Sequence, residues 1–165
     1  MATSNVQALC SIFKVDLLNG SHALGTAVVT RTGTLAADPF MAALYFANTS
    51  NSLMNAAATI YTTAGELTGT NYTPGGWTVV FLQPTYNNPS SVTNANSTAY
   101  VTPTQAITIS TLTASGFDTV LFYNAKDATK RAVSVHTFGS QTITAGTFTL
   151  TMPSNAAGTA LINFA

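Results

Sequence analysis

Thr147-Phe148-Thr149-Leu150-Thr151-Met152 alternates without a break between hydroxyl and apolar side chains, and Pro153 closes the run. A period of two sends successive side chains to opposite faces of an extended chain, so Phe148, Leu150 and Met152 face a core while the threonines face away. The stretch reads as a strand with one buried face. Working outward, Ile107, Ile109 and Thr111 mark a second strand of the same kind. Residues 77–82 and 117–123 are apolar on both faces, which predicts central strands covered by a second layer or a neighbouring subunit. Further strands are expected at 39–46, 131–138 and 160–164, at least seven in all, with Gly, Pro and Asn punctuating the intervals. The expected fold class is all-β, an antiparallel β-sandwich of Greek-key or jelly-roll-like connectivity.

Two stretches depart from that pattern. Ser4-Asn5-Val6-Gln7 fits a capping box, and Val6, Leu9, Cys10, Phe13 and Leu17 recur on one helical stripe before Asn19-Gly20. One N-terminal amphipathic helix is therefore expected over 5–19, with Cys10 a small buried hydrophobe on its stripe. Residues 83–103 carry Pro84, Pro89, Pro103 and a dense Asn, Ser and Thr content. They read as a long polar loop that reaches a partner, because structureless loops of that length are uncommon inside compact domains.

A chain of 165 residues is the span of one domain, 1–165, with a core of its own. Charged residues make up 6 % of it, where about a quarter is usual. Five acids and five bases cancel, so solubility rests on hydroxyls and amides, and zero net charge favours association. Residues 67–117 contain no charged side chain. A surface made from them has no charge to guard its strand edges, and coverage by other subunits is expected. Lys14, Arg31, Lys126, Lys130 and Arg131 are too few and scattered to track a phosphate backbone, which argues against direct nucleic-acid binding. The longest apolar run, 40–47, has eight residues, against roughly twenty for a membrane span. Met1-Ala2-Thr3-Ser4-Asn5 lacks the basic and apolar regions of a secretory signal, so folding in a cytoplasm is expected. One cysteine forms no internal disulfide.

Catalytic chemistry has few candidates. His22 and His136 are the only histidines, and no motif joins either to a nucleophile. Asp118 and His136 fall on neighbouring predicted strands and are the one pairing in reach, with a satisfied core or surface histidine as the plainer reading. Asp16, Asp38, Glu66, Asp118 and Asp127 are isolated along the chain, without the pairing that glycoside hydrolysis needs. Metal-ligand spacings are absent, and residues 65–76 are glycine-rich but lack the lysine of a phosphate cradle. Lys126-Asp127-Ala128-Thr129-Lys130-Arg131 reads as a solvated hairpin tip. The sequons at Asn48, Asn71 and Asn96 follow from an Asn/Thr-rich composition. No catalytic, cofactor-binding or metal-binding residue is assigned, and the chain is expected not to be an enzyme.

Several segments, taken in order, resemble a family of small structural proteins of tailed-bacteriophage virions. They are Ser11-Ile12-Phe13-Lys14-Val15-Asp16-Leu17-Leu18-Asn19-Gly20, Pro39-Phe40-Met41-Ala42-Ala43-Leu44-Tyr45, the stretch 60–76 (IYTTAGELTGTNYTPGG), 117–124 and 138–148. Thr137 stands where the family pattern has an acidic residue before Phe138-Gly139, and 21–38 and 83–103 are particular to this chain. The resemblance implies a virion component, assembled in the host bacterial cytoplasm, that binds the major capsid protein and copies of itself. Its implied role is that of a capsid decoration (cement) protein stabilising the head shell; a tail or fibre component is the competing role. A carbohydrate-binding module is a third reading, resting on Tyr72, Trp77 and Tyr86 as sugar-stacking aromatics, whose plainer role is packing.

Overall fold

The computed structural model describes residues 7–10, 13, 22, 24, 27–30, 33–46, 54–87, 98–126 and 128–164. Its elements are strands: β1 (Gln7–Leu9), β2 (Ala27–Thr30), β3 (Gly33–Ala36), β4 (Phe40–Phe46), β5 (Trp77–Val79), β6 (Thr85–Asn87), β7 (Thr98–Val101), β8 (Ile107–Asn124), β9 (Ala132–Leu150) and β10 (Ile162–Phe164). They form a five-stranded sheet in the order β1-β9-β8-β4-β5, a three-stranded sheet β10-β7-β6 and a two-stranded ribbon β2-β3. Every pairing is antiparallel. No helix among the described residues is long and apolar enough to cross a membrane.

The alternating run at 147–152 lies at the end of β9 as its period demands. Phe148 is buried, Leu150 is half-buried, and Thr147 and Thr149 are exposed; Thr151 and Met152 fall just past the strand. Strands that read as separate in sequence are continuous here. Residues 107–111 and 117–123 belong to one strand of 18 residues, β8, paired with one of 19, β9. The register shifts between Ile109 and Leu112, between Leu112 and Ala114 and on both sides of Phe117. Thr111 (φ 51°), Gly116 (φ 74°) and Ala145 (φ 49°) take left-handed backbone along the same stretch. Bulges of this kind bend a ribbon without ending its pairing, which is why local breaker signals divide one continuous strand into two.

The helix expected over 5–19 is not what residues 7–9 form. Gln7, Ala8 and Leu9 pair with His136, Val135 and Ser134, and the Cys10 N–H continues onto Val133 O at 3.1 Å. An uncovered edge of β9 would leave backbone donors and acceptors without partners, and that non-local demand outweighs a weak local preference for helix. Of the apolar stripe, Cys10 and Phe13 are fully buried and Leu9 half-buried, as a core-facing stripe requires. Ser4, Val6 and Leu17 lie outside the described residues. The polar stretch 83–103 also differs from a free loop. Thr85, Tyr86 and Asn87 pair with Tyr100, Ala99 and Thr98, so its two ends are hairpin arms, while 88–97 fall outside the described residues.

Residues 77–87 pass from one sheet to the other. Trp77–Val79 pairs with β4, Phe81 bridges Pro103, and β6 joins β7. Around 117–123 both faces of the five-stranded sheet are covered by the chain itself, which explains the doubly apolar pattern there. On one face Phe81 packs edge-on against Phe40 (centroids 5.0 Å) and Phe122 (6.5 Å). On the other, Tyr61 stacks on Tyr123 at 4.7 Å. The segment that supplies Tyr61 is pinned at three points, Ile60 to Arg131, Glu66 to Tyr45 and Thr70 to Thr113. It returns to the sheet through Gly76 (φ 76°), where any Cβ would sit 1.8 Å from the Ala42 carbonyl oxygen, so only glycine lets β5 lie against β4.

Candidate functional site

The densest polar constellation is built on Glu66, which the strand bridge to Tyr45 holds against the sheet at 6 % exposure. Its Oε1 accepts from the Tyr72 hydroxyl at 2.7 Å and the Gly75 N–H at 2.6 Å, and its Oε2 accepts from the Tyr61 hydroxyl at 2.5 Å. Tyr72 Oη in turn accepts the Leu44 N–H at 3.0 Å. Two further hydroxyls complete the layer: Tyr123 donates to Gly75 O at 2.8 Å and Tyr45 to Thr62 O at 2.7 Å. Burial, and after it the Glu66 carboxylate, pushes the Tyr45, Tyr61 and Tyr72 hydroxyls far above their ordinary value and Tyr123 up to about 12. They therefore stay protonated and act as donors. A carboxylate engaged by three donors locks the segment that carries it against the sheet.

Of the acids and histidines singled out in sequence, Glu66 builds this layer, Asp118 and His136 lie on the adjacent strands β8 and β9, and Asp38 and His22 meet through Asn124. His136 lies opposite Val120 in the β8–β9 register, and its ring meets Phe122 edge-on at 5.8 Å. Asp118, two residues along, is buried and accepts the Thr119 hydroxyl at 2.6 Å. Burial draws the His136 imidazole down to about 4, so it is neutral near pH 7. His22 belongs to another cluster. Asn124 Nδ2 lies 2.9 Å from His22 Nδ1 and donates to Asp38 Oδ2 at 2.7 Å, while the Lys126 ammonium pairs with Asp38 Oδ1 at 2.7 Å. The cluster ties the start of β4 to the end of β8. Among the described residues no group of His, Cys, Asp and Glu has the makings of a metal site. Cys10 is fully buried and burial pushes its thiol up to about 11, which makes it a packing residue. Lys14, Asp16, Arg31 and Asp127 lie outside the described residues.

Two of the aromatics considered for sugar stacking are packed against each other. Tyr72 is buried, and Trp77 packs edge-to-face against it at 5.1 Å. The side chain of Tyr86 lies outside what is described.

What the surface offers instead is an asymmetry of charge. Asp38, Glu66 and Asp118 are buried, and among the described residues the exposed charges are Lys126 and Lys130, both in the turn between β8 and β9. Lys126 pairs with Asp38, and Lys130 Nζ lies over the Tyr61 ring at 4.7 Å from its centroid. At the far end of the same hairpin, 107–115 and 142–150 expose Ala145 and otherwise hydroxyls, with no charge, such as Thr108, Thr113 and Ser115 against Thr142, Thr147 and Thr149. Ser115 and Thr142 join their hydroxyls across the strands at 3.0 Å. The inner side of that ribbon carries Ile107, Ile109, Leu112 and Phe148, all buried. Ile60 (49 % exposed) and Val80 (47 %) add uncovered apolar area elsewhere. Low charge is legible in the sequence. The Glu66 layer is missed by a reading that looks for acid pairs, although a lone acid between Tyr61 and Tyr72 in a charge-free run is the signal that points to it. No family model matches this chain, and neither a curated protein nor a solved structure is significantly similar to it.

Proposed function

We propose that the antiparallel sheets close as a β-sandwich and that this chain is a non-catalytic structural component of a tailed-phage virion, a capsid decoration (cement) protein that binds the outer head shell. The observation that carries this reading is the charge-free end of the β8–β9 hairpin. A strand ribbon of 18 and 19 residues exposes hydroxyls there and no charge that would repel or orient a soluble partner. Such a surface suits a fixed neighbour that satisfies hydroxyls by hydrogen bonds and accepts apolar contact. The partners are the major capsid protein and further copies of this chain. Binding only to the assembled lattice stabilises that lattice by mass action, and repetition over a shell makes modest contacts count through multivalency. The sequence resemblance to small phage virion proteins supports the same assignment.

Copy number decides between the shell and the tail. Quantitative mass spectrometry of purified particles is expected to find hundreds of copies, and particles lacking the protein are expected to release DNA at a lower temperature. A handful to a few dozen copies, with heat stability unchanged and adsorption lost, would move the protein to the tail.

A further inference from the structure

Between one face of the five-stranded sheet and the C-terminal segment 151–163 lies a cavity of about 730 Å³. Sites for small molecules in proteins run to roughly 300–1,000 Å³ and are mostly apolar. Leu9, Phe122, Phe138 and Leu150 supply the sheet side of this one, and Met152, Ala160 and Leu161 the opposite wall. That wall is anchored independently of any occupant. Ile162–Phe164 pairs with β7, and the Leu161 N–H donates to Thr102 Oγ1 at 2.9 Å, so the segment is held at its distance from the sheet.

The polar groups at the rim are engaged by the protein itself. Asn163 Nδ2 donates to Ala160 O at 2.5 Å while its Oδ1 accepts the Gly158 N–H at 3.1 Å, and the Thr159 hydroxyl shares a hydrogen bond with Ser154 at 2.7 Å. No Asp, Glu, Lys or Arg is among the described lining residues, and the one ionisable group there, His136, is neutral near pH 7. A charged ligand would surrender its hydration with no counter-charge in return, whereas an apolar one gains contact on both walls. We propose that this cavity binds one neutral, hydrocarbon-rich small molecule per chain, held by shape and apolar contact, and that it excludes organic anions and cations of the same size. Binding here does not depend on the particle assignment.

The neutral fluorophore N-phenyl-1-naphthylamine, titrated into the purified chain, tests this. Its emission is expected to saturate at one probe per chain, to be reversed by 1-decanol, and to resist decanoate at the same concentration. Two variants place bulk in the space: Ala160→Phe on the buried wall and Thr151→Trp on the exposed rim. Each is expected to weaken probe binding about tenfold, while Thr144→Trp, exposed on the β8–β9 ribbon and outside the lining, leaves it unchanged. If Ala160→Phe does not fold, Thr151→Trp carries the comparison. An unsaturable signal, displacement by decanoate equal to that by decanol, or binding untouched by the filling variants each overturns the proposal. So does one probe per two chains accompanied by a dimer in sedimentation, which would assign the cavity to an interface between copies.

Discussion

At Glu66 one carboxylate accepts two tyrosine hydroxyls and a backbone N–H while almost wholly removed from water. Glu66→Gln keeps the size but replaces one acceptor oxygen by an NH₂ donor, so donor faces donor and the charge-assisted bonds are lost. The expected cost is about 2–3 kcal/mol, read as a lower urea midpoint at unchanged m. His136 makes a second residue-scale prediction, in pH. Its native value of about 4 lies below the ordinary 6.5 because burial disfavours the imidazolium. The unfolded chain therefore binds this proton first, and the native state loses stability as pH falls from 6.5 towards 4. Between pH 7.5 and 4.5 the loss due to this side chain is of order 2–3 kcal/mol. His136→Leu removes it, so the gap between wild type and variant in urea unfolding is expected to shift in the variant's favour by that amount on acidification. An unchanged gap would show that the imidazole titrates normally in the folded protein.

Among the elements, the β8–β9 hairpin and the 60–76 segment depend on each other. Asn71 sits at φ 64° and donates through Nδ2 to Thr111 O (3.0 Å) and Thr111 Oγ1 (2.8 Å), clamping a residue that itself holds φ 51°. Asn71→Ala loses both bonds and strains the left-handed backbone, at an expected cost of about 2 kcal/mol; Asn71→Gly loses the bonds but accepts the backbone, at about half that. The thermal midpoints are expected in the order wild type, Asn71→Gly, Asn71→Ala, and equal midpoints for the two variants would mean that φ at 71 carries no strain. The same elements set the limit of sequence reading. The run at 77–82 reads as a central strand but forms only Trp77–Val79, at the sheet edge beside β4, whereas the strands expected at 39–46 and 160–164 are legible from alternation and apolar runs. The continuity of β8 through Gly116 is not, because a glycine in a strand looks like an end until the partner strand shows that pairing resumes beyond it. Gln7–Leu9 misleads for a related reason: an apolar stripe at helical spacing also suits a short strand followed by the buried Cys10 and Phe13.

For the whole molecule, the exposed charges that are described gather at the 125–131 turn and leave the opposite end of the hairpin bare. If that bare end is the contact with the shell, charge placed there acts on assembly and not on folding. Thr108 and Thr144 are both exposed, and surface substitutions of this kind usually change stability by no more than about 0.5 kcal/mol each. The double variant Thr108→Lys, Thr144→Lys is expected to melt within about 4 °C of wild type and to be missing from purified particles. Normal incorporation would place the contact elsewhere on the chain. Strand class, scarcity of charge and the absence of catalytic or metal-binding motifs are matters of composition and period-two alternation, which the sequence by itself determined because they follow from each side chain and its near neighbours. Only the tertiary structure decided that Gln7–Leu9 is a strand, that Glu66 accepts from Tyr61 and Tyr72 while Tyr45 and Tyr123 close the layer around it, and that a cavity lies against His136. These depend on which strand edges meet, and that choice is made by hydrogen bonds and buried area between residues far apart in the chain.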